Sequence, residues 1–465
     1  MSARVPIALD VDQVERPSLT SDFCWTFVGN AIYAGGQFAT LMLLAKLLQP
    51  QLVGQYALGL AVVYPAMMFT NLQLRSVFNS SSRPQIHFSN YLRLRVLTTS
   101  LAFLMIFAVT QFLGYGRELT IVILLVGLAY AIETFSDVYY ARLQWHDRMA
   151  EISKSMIARA LLSVTGLAGA TYLTRSLPWG IASIVLARVI VLFAYDIRKG
   201  TQDLRGQRER FPRRAPRNEG FARPFDSKAL LDLFWVSLPL GVVSLLGCLN
   251  SSTPNFFIMH SLGEREVGIF AAIGIMVSVG NMAVVSLGQA AFTRLARSYA
   301  AGGLRAFHLL LGKLLACGAG IGVVGIIVSK FAGREILTIL FRPEYAESAG
   351  LLSWTMVAGG VLFMGQFLGF GLTAANFYRS QVVLNVVANL CLLAACYWFV
   401  PRRGLLGAIL AMLIAAIVQF AGSVIVLLTG VQRRANRFGV RVEQPEAVRT
   451  TSAPAEQSST VNAGD

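Results

Sequence analysis

Two carboxylates and one arginine stand in stretches of the chain that are otherwise apolar. Glu133 and Asp137 lie four residues apart in GLAYAIETFSDVYYARLQW, and Arg188 interrupts another apolar run. Residues four apart share one face of a helix, so the two acids point the same way as Tyr130 and Tyr140. Carboxylates and guanidinium groups in such surroundings can form ion pairs, bind protons or cations, or hold an anionic ligand.

The composition shows which solvent surrounds these groups. Of 465 residues, 55% are hydrophobic and only 14% are charged, a balance that does not suit a surface facing water. Apolar stretches long enough to cross about 30 Å of hydrocarbon recur along the chain. We predict twelve membrane spans with these bounds: 23–44, 52–74, 93–113, 119–140, 156–174, 177–197, 229–253, 267–290, 307–330, 348–371, 379–399 and 404–429.

The distribution of lysine and arginine predicts the orientation of these spans. The first 22 residues contain no apolar run of the signal-peptide kind, so we expect a cytoplasmic N-terminus. With that orientation, 30 basic residues fall in cytoplasmic segments and 9 in outer segments, which favours an even number of spans with both termini inside. The same excess accounts for the net charge of +16, so no nucleic-acid partner is expected. The basic run RKGTQDLRGQRERFPRRAPR is interpreted as an anchor on anionic lipid.

An internal repeat predicts two lobes. LLQPQLVGQYAL after the first span matches SLGEREVGIFAA after the seventh at an offset of 214 residues, pairing Gly54 with Gly268 and Tyr56 with Phe270. Two six-span halves have the same orientation, so a pseudo-two-fold axis should run along the membrane normal, with the substrate between the halves. The predicted organisation is a cytoplasmic N-tail (1–22), an N-lobe (23–197), a basic cytoplasmic linker (198–228), a C-lobe (229–429) and a cytoplasmic tail (430–465) with a disordered end.

Four segments resemble one known family. LLAKLLQPQLVGQYALGLAV, SLGEREVGIFAA, ILFRPEYAESAGLL and YRSQVVLNVVANLCLLAACYWFVPRRGLLGAILA look like the polysaccharide-biosynthesis (O-antigen and exopolysaccharide) flippases of the multidrug/oligosaccharidyl-lipid/polysaccharide exporter superfamily. The resemblance covers nearly all of residues 20–430. It implies an all-α protein of the bacterial inner membrane that moves undecaprenyl-diphosphate-linked oligosaccharide outward by alternating access. A polymerase and other polysaccharide assembly proteins are the implied partners.

Polar stripes on the first two spans predict a hydrated cavity for such a cargo. On span one, Asn30, Tyr33 and Gln37 recur at helical spacing, and on span two Asn71 and Arg75 follow one another toward the cytoplasmic end. A single amide in a membrane helix usually bonds a neighbouring helix, but several along one face exceed that need. On span eleven, amides repeat every fourth residue, at Gln381, Asn385 and Asn389.

Three interpretations of the acid pair remain open. Glu133 and Arg188 lie at similar depths, about 10 and 13 Å from the cytoplasmic boundary, so they are expected to pair. That pair can be a permanent structural contact. Alternatively, Glu133 or Asp137 can bind and release a coupling proton or sodium ion. In the third interpretation, Arg188 and Arg75 bind the diphosphate, because guanidinium offers bidentate donors to phosphate oxygens.

Other classes of protein are less favoured. A membrane glycosyltransferase or polymerase would need sizeable outer loops, and most outer connections here are a few residues long. The enzyme interpretation is therefore disfavoured, and we expect no enzyme activity. No GxxxxGK[ST] loop occurs, so we expect no binding of ATP in the P-loop manner. The five cysteines lack metal or redox spacing, and we expect no cofactor or metal. A cation-coupled multidrug antiporter of the same superfamily is the main alternative, because acids suit a cationic cargo. Lipid II flippases typically have fourteen spans, which disfavours that branch.

Overall fold

The computed structural model describes residues 19–80, 88–145, 148–201, 227–301 and 304–442. All regular secondary structure in these residues is helical. The first six long helices are α1 (Leu19–Leu47), α2 (Pro50–Asn71), α3 (Phe88–Phe112), α4 (Arg117–Trp145), α5 (Met149–Thr174) and α6 (Leu177–Val191), which continues as a π-helical segment (Leu192–Asp196). The next four are α7 (Ser227–Leu262), α8 (Glu264–Ala300), α9 (Leu304–Leu340) and α10 (Ala349–Ala374). Short helices occupy Leu74–Ser80 and Pro343–Ala346.

The last helical segment, Tyr378–Val442, consists of two helices joined by a sharp turn. Gly404 has φ 59° and ψ −138°, a non-helical conformation that a side chain would strain. A Cβ at Gly407 would lie 2.2 Å from the carbonyl oxygen of Phe399, so the chain folds back tightly here. We name residues 378–403 α11 and residues 404–442 α12.

The turn explains how eleven apolar segments make twelve crossings. Eleven helical segments of the described chain are long and apolar enough to cross a membrane, and the last of them, Tyr378–Thr429, is 52 residues long. At about 1.5 Å per residue this segment covers more than twice the hydrocarbon thickness. The prediction of an all-α membrane protein with twelve spans is therefore confirmed.

The helices pack in two groups. In the N-lobe, α1 packs on α5, α5 on α6, and α2 on α4. In the C-lobe, α10 packs on α9 and on the α11–α12 pair. Large apolar side chains such as Phe112, Leu173 and Phe331 are almost fully exposed on the outside of these groups. An apolar exterior of this kind is suited to lipid rather than to water.

The repeat-related glycines meet where the lobes touch. A Cβ at Gly54 on α2 would lie 1.8 Å from the carbonyl oxygen of Glu264, and a Cβ at Gly268 on α8 would lie 2.1 Å from that of Pro50. Pro50 and Glu264 are themselves 214 residues apart, so the two contacts are reciprocal. A reciprocal contact between equivalent residues occurs on a two-fold axis, and glycine is required because the backbones approach so closely.

Three helices of the C-lobe extend well past the predicted spans. Helices α7, α8 and α9 have 36, 37 and 37 residues, which is about 55 Å each. Hydropathy predicts only the part of a helix that lies in lipid. The helix itself can continue into water, so the observed helices are longer than the predicted spans. Most of the predicted N-tail (1–18), most of the predicted linker (202–226) and the end of the predicted C-tail (443–465) lie outside the described residues. The last four residues of the predicted N-tail belong to α1, which begins at Leu19.

Candidate functional site

Four N-lobe helices bring charged and phenolic groups together around Glu133. Its Oε2 lies 2.8 Å from Nη1 of Arg188 on α6, and its Oε1 lies 4.0 Å from Nη1 of Arg159 on α5. The Tyr33 hydroxyl of α1 donates to Oε1. Gln37 donates to that hydroxyl at 3.0 Å. The predicted pairing of Glu133 with Arg188 is therefore confirmed. It is part of a larger set of polar contacts in the N-lobe, which we call the network; its charged members are Glu133, Asp137, Asp196, Arg75, Arg95, Arg159 and Arg188.

Arg159 joins this group to a second, fully buried group. Its Nη2 lies 3.0 Å from Oδ2 of Asp196 and donates to the Tyr140 hydroxyl at 3.0 Å. Ser155 donates to the other carboxylate oxygen of Asp196 and lies 2.7 Å from the Tyr140 hydroxyl. Asp196 ends the π-helical segment that follows α6. Such segments re-aim side chains, and they often occur at functional sites.

A third group lies at the predicted cytoplasmic end of the N-lobe. Arg75, in the short helix after α2, has Nη1 3.4 Å from Oδ1 of Asp137 and donates from Nε to Gln144 at 2.7 Å. Arg95 on α3 donates to the side-chain oxygen of Asn71 at 2.5 Å. The two acids of α4 thus contact different arginines, Glu133 pairing with Arg188 and Asp137 with Arg75.

The electrostatic balance of these groups is slightly positive. Each of three acids, Glu133, Asp137 and Asp196, has an arginine within 4.0 Å, and the fourth arginine, Arg95, bonds a neutral amide. Desolvation of the ions is offset by this pairing, since an unpaired charge would be costly here. The side chains of Arg75, Asp137 and Glu133 are the most exposed of the paired groups.

The exposed fractions separate a buried part of the network from an accessible part. The side chains of Arg159 and Asp196 are 3% and 0% exposed, whereas those of Glu133 and Arg75 are 23% and 31% exposed. Arg188 is 7% exposed, and its guanidinium lies 5.0 Å from the centre of the Tyr130 ring. A ligand would therefore meet Glu133 and Arg75 first, with Arg159 and Asp196 behind them.

The structure places the predicted site residues in different groups. Tyr33, Gln37 and Arg188 gather at Glu133, whereas Arg75 gathers with Asp137. Asn71 bonds Arg95, and Asn30 is exposed and donates to the carbonyl oxygen of Thr26 in its own helix. The stripe on α1 thus contributes Tyr33 and Gln37 to the network, while the hydrogen bond of Asn30 stays within its own helix.

Sequence reasoning missed three charged members of the network. Arg95 and Arg159 are among the 30 basic residues assigned to the predicted cytoplasmic segments, and the structure buries both of them within helices. Arg159 lies ten residues into α5, about 15 Å along the helix. Their neighbours in sequence include other basic residues, so local composition resembled that of a loop. Asp196 was missed for the same reason: RKG follows it after one residue, so its surroundings in sequence also resembled a charged loop.

The polar interior of the C-lobe is made of neutral amides. Gln419 on α12 donates to the Asn385 side chain at 2.9 Å, and Asn389 donates to the carbonyl oxygen of Leu246 at 3.0 Å. Across the described part of this lobe, every buried polar side chain is uncharged. No three His, Cys, Asp or Glu side chains of the described residues come close enough together to hold a metal ion.

The fold is that of a known class of membrane transporter. A lipid II flippase, MurJ, in an inward closed conformation matches with a TM-score of 0.67 at 10% identity, covering 87% of each chain. An inward-facing multidrug resistance transporter of the MATE family, in the MOP superfamily, matches with a TM-score of 0.60 at 13% identity, covering 90% of this chain and 96% of that one. At these identities the likeness shows the fold, with its two lobes and twelve helices.

The family follows from the sequence comparison. The model of the family described as "Polysaccharide biosynthesis protein" matches residues 19–298, and this chain belongs to that family. The capsular polysaccharide biosynthesis protein CapF of Staphylococcus aureus is 27% identical over 405 residues, covering 86% of this chain and 97% of that protein. The resemblance stated from the residues is therefore confirmed.

Proposed function

We propose that this protein is a flippase that moves undecaprenyl-diphosphate-linked oligosaccharide across the bacterial cytoplasmic membrane during synthesis of an extracellular polysaccharide. The family, the relative CapF and the fold shared with the lipid II flippase MurJ all support transport of a lipid-linked sugar. The family and the fold are those of transporters rather than enzymes.

The observation that carries the proposal is the state of the acids in the N-lobe. All three acids of the network are already paired with arginine, so none offers a free carboxylate to a cationic drug. The network contains four arginines and three acids, and Arg75 is partly exposed at the predicted cytoplasmic end. Guanidinium groups suit a diphosphate, because they can donate two hydrogen bonds to phosphate oxygens. These contacts favour the flippase over the multidrug antiporter.

Contacts between the lobes at the opposite end support alternating access. Lys46 on α1 donates to the carbonyl oxygen of Ile339 at 2.8 Å, and Gln55 donates to Glu264 at 3.0 Å. Together with the reciprocal glycine contact, they close the predicted outer end. Release of the cargo outward requires these contacts to part, so they define the gate on that side in our proposal.

The polar groups suggest how transport is coupled. We propose that Arg75 and Arg188 contact the diphosphate, while Tyr33, Gln37, Asn30 and Asn71 line the path. Glu133 and Asp137 then act as counter-ions that the cargo displaces, or as sites for a coupling cation. In either case the ion pairs must rearrange during the cycle.

The orientation of the chain and its partners belong to the same proposal. The family and the apolar helices make this a multi-pass membrane protein. The excess of basic residues in alternate connections favours cytoplasmic termini. Anionic lipids would contact the basic segments, and a polymerase would receive the exported repeat units.

Export in a deletion strain tests the proposal. Deletion should cause lipid-linked repeat units to accumulate at the inner leaflet, and the wild-type gene should clear them. Glu133→Gln and Arg188→Gln should each impair export at least about tenfold, because each leaves a partner charge in a poorly solvated site.

Matched variants give this test its control. Arg297 is exposed on α8, outside the network, so Arg297→Gln should export normally. If both single variants and the Glu133→Gln/Arg188→Gln double variant restore export fully, the ion pair has no role in transport. A deletion that causes drug sensitivity without accumulation of lipid-linked sugar would instead favour the antiporter.

A further inference from the structure

A cavity in the C-lobe is lined by amides with unused hydrogen-bonding groups. It has a volume of about 260 Å³, is partly open, and lies between α10, α11 and α12. Nine residues line it, none of them charged: Leu362, Gly365, Gln366, Gly369, Phe370, Thr373, Gln381, Ala416 and Gln419. Three glutamines, one threonine and one aromatic ring thus face a single small space.

The hydrogen bonds within the lining use only part of its capacity. The Thr373 hydroxyl donates to the carbonyl oxygen of Gly369 at 2.8 Å and lies 3.2 Å from the side-chain oxygen of Gln381, so the Gln381 amino group is available. Gln419 donates its amino group to Asn385 at 2.9 Å, which leaves its own oxygen available as an acceptor. The Gln366 amide has no hydrogen-bond partner among the described residues. Amides that served only to join helices would spend these groups on one another.

Two glycines create the space in front of the amides. Gly365 has no atom within 4 Å of the position where a Cβ would lie, and the nearest atom to such a Cβ at Gly369 is the Gln381 amino nitrogen, 3.6 Å away. Elsewhere on α10 glycine has a different use. A Cβ at Gly360 would lie 3.3 Å from the Cα of Gly322, so that glycine allows two helices to pack closely.

From these observations, we propose that the C-lobe cavity binds a sugar unit of the cargo through its hydroxyl groups. The inference rests on the proposed flippase function and adds a glycan subsite to it. Neutral amides can both donate hydrogen bonds to hydroxyl groups and accept them. A diphosphate or an organic cation would need a charged partner, and the lining contains none. An acyl chain would leave the amides unsatisfied, at a cost in free energy.

The depth of the cavity agrees with a cargo held between the lobes. Gln366 lies eight residues before the end of α10, about 12 Å along the helix. Arg159 lies about 15 Å from the same end of the bundle in the N-lobe. The charged network and the cavity therefore stand at similar heights, one suited to the diphosphate and the other to the sugars that follow it.

Binding to two lipids tests the subsite. The full-length protein in nanodiscs would be titrated with the lipid-linked oligosaccharide extracted from a strain lacking this protein, and with polyprenyl diphosphate that carries no sugar. The wild type should bind the sugar-bearing lipid about tenfold more tightly, the effect of two or three hydrogen bonds. Gly365→Leu, which fills the cavity, should reduce that ratio to about one and leave the affinity for polyprenyl diphosphate unchanged.

Two controls separate the possible outcomes. Gly350→Leu places the same side chain in open space on α10 away from the cavity and should keep the tenfold ratio. Gln366→Ala/Gln419→Ala removes the amides without filling the space and should also reduce the ratio, which covers the case in which Gly365→Leu does not fold. If the wild type binds both lipids and every variant keeps its ratio, the subsite is refuted. If the wild type binds neither lipid above a phosphatidylglycerol control, the flippase proposal itself fails.

Discussion

The two lobes share a helical plan but differ in what they bury. The N-lobe buries five charged side chains inside its helices, those of Arg95, Arg142, Arg159, Arg188 and Asp196. The buried polar groups in the described C-lobe are hydroxyls and the amide Asn389. Their equivalence is visible where they meet, at Gly54 and Gly268. A repeat can therefore preserve backbone packing at the axis while each half acquires its own interior chemistry.

The difference indicates a division of labour within one chamber. Buried ion pairs are costly to assemble and weak as a source of stability, so their presence in only one lobe of the described chain points to function. Amides cost less to bury and suit a neutral ligand. On this view the N-lobe contacts the charged part of the cargo and the C-lobe contacts the neutral part.

The largest effect is expected from a substitution at the centre of the N-lobe network. Arg159→Met removes the cation nearest to Asp196, which is fully buried, so the free energy of unfolding should fall by about 3 to 5 kcal/mol. Thermal unfolding of the detergent-solubilised protein would measure the loss. Arg297→Met, at an exposed position of the C-lobe, should change the free energy of unfolding by less than about 0.5 kcal/mol.

A double variant sharpens the same comparison. Arg159→Met/Asp196→Leu removes both charges and should recover much of the stability, since no unpaired charge remains. Equal unfolding temperatures for Arg159→Met and Arg297→Met would show that the N-lobe network contributes no more than an exposed residue of the C-lobe.

A smaller effect is expected where the lobes are alike. Gly54→Ala and Gly268→Ala each place a Cβ about 2 Å from a carbonyl oxygen of the other lobe. Each should lower the free energy of unfolding by about 1 to 3 kcal/mol, and the two losses should be similar because the contacts are reciprocal. Thermal unfolding again gives the measurement.

A third glycine supplies the control for this pair. Gly274 lies on α8 with open space beside it, so Gly274→Ala should be neutral or stabilising. Strongly unequal losses for Gly54→Ala and Gly268→Ala would contradict a two-fold contact at this point.

The smallest effect is expected for an amide of the C-lobe. Asn389→Ala removes the hydrogen bond from α11 to the carbonyl oxygen of Leu246 on α7, and should cost about 0.6 kcal/mol, as is common for polar contacts in membrane bundles. Ser286→Ala, which removes an exposed bond within α8, serves as the control in the same unfolding measurement. A loss as large as that of Arg159→Met would mean that the two lobes do not differ in the way proposed.

The sequence-based predictions succeeded where the pattern lay within one segment of the chain, and failed where contacts between segments decided the outcome. Hydropathy predicted twelve spans, and even the crossing divided at Gly404 was found, because Arg402 and Arg403 interrupt the apolar run there. Helical periodicity placed Glu133 beside Arg188 from their depths alone. It could not place Arg159, because a basic residue near other basic residues has the same local composition in a loop as in a buried helix.

The sequence by itself determined the solvent, the number of crossings, the repeat and the pairing of Glu133 with Arg188, since each follows from local composition or from distance along a helix. Only the tertiary structure decided that Arg159 bridges Glu133 and Asp196, that Arg75 pairs with Asp137, and that three glutamines share one cavity. These contacts join helices far apart in the chain. Which faces of those helices meet is set by the packing of the whole bundle, and no single segment encodes it.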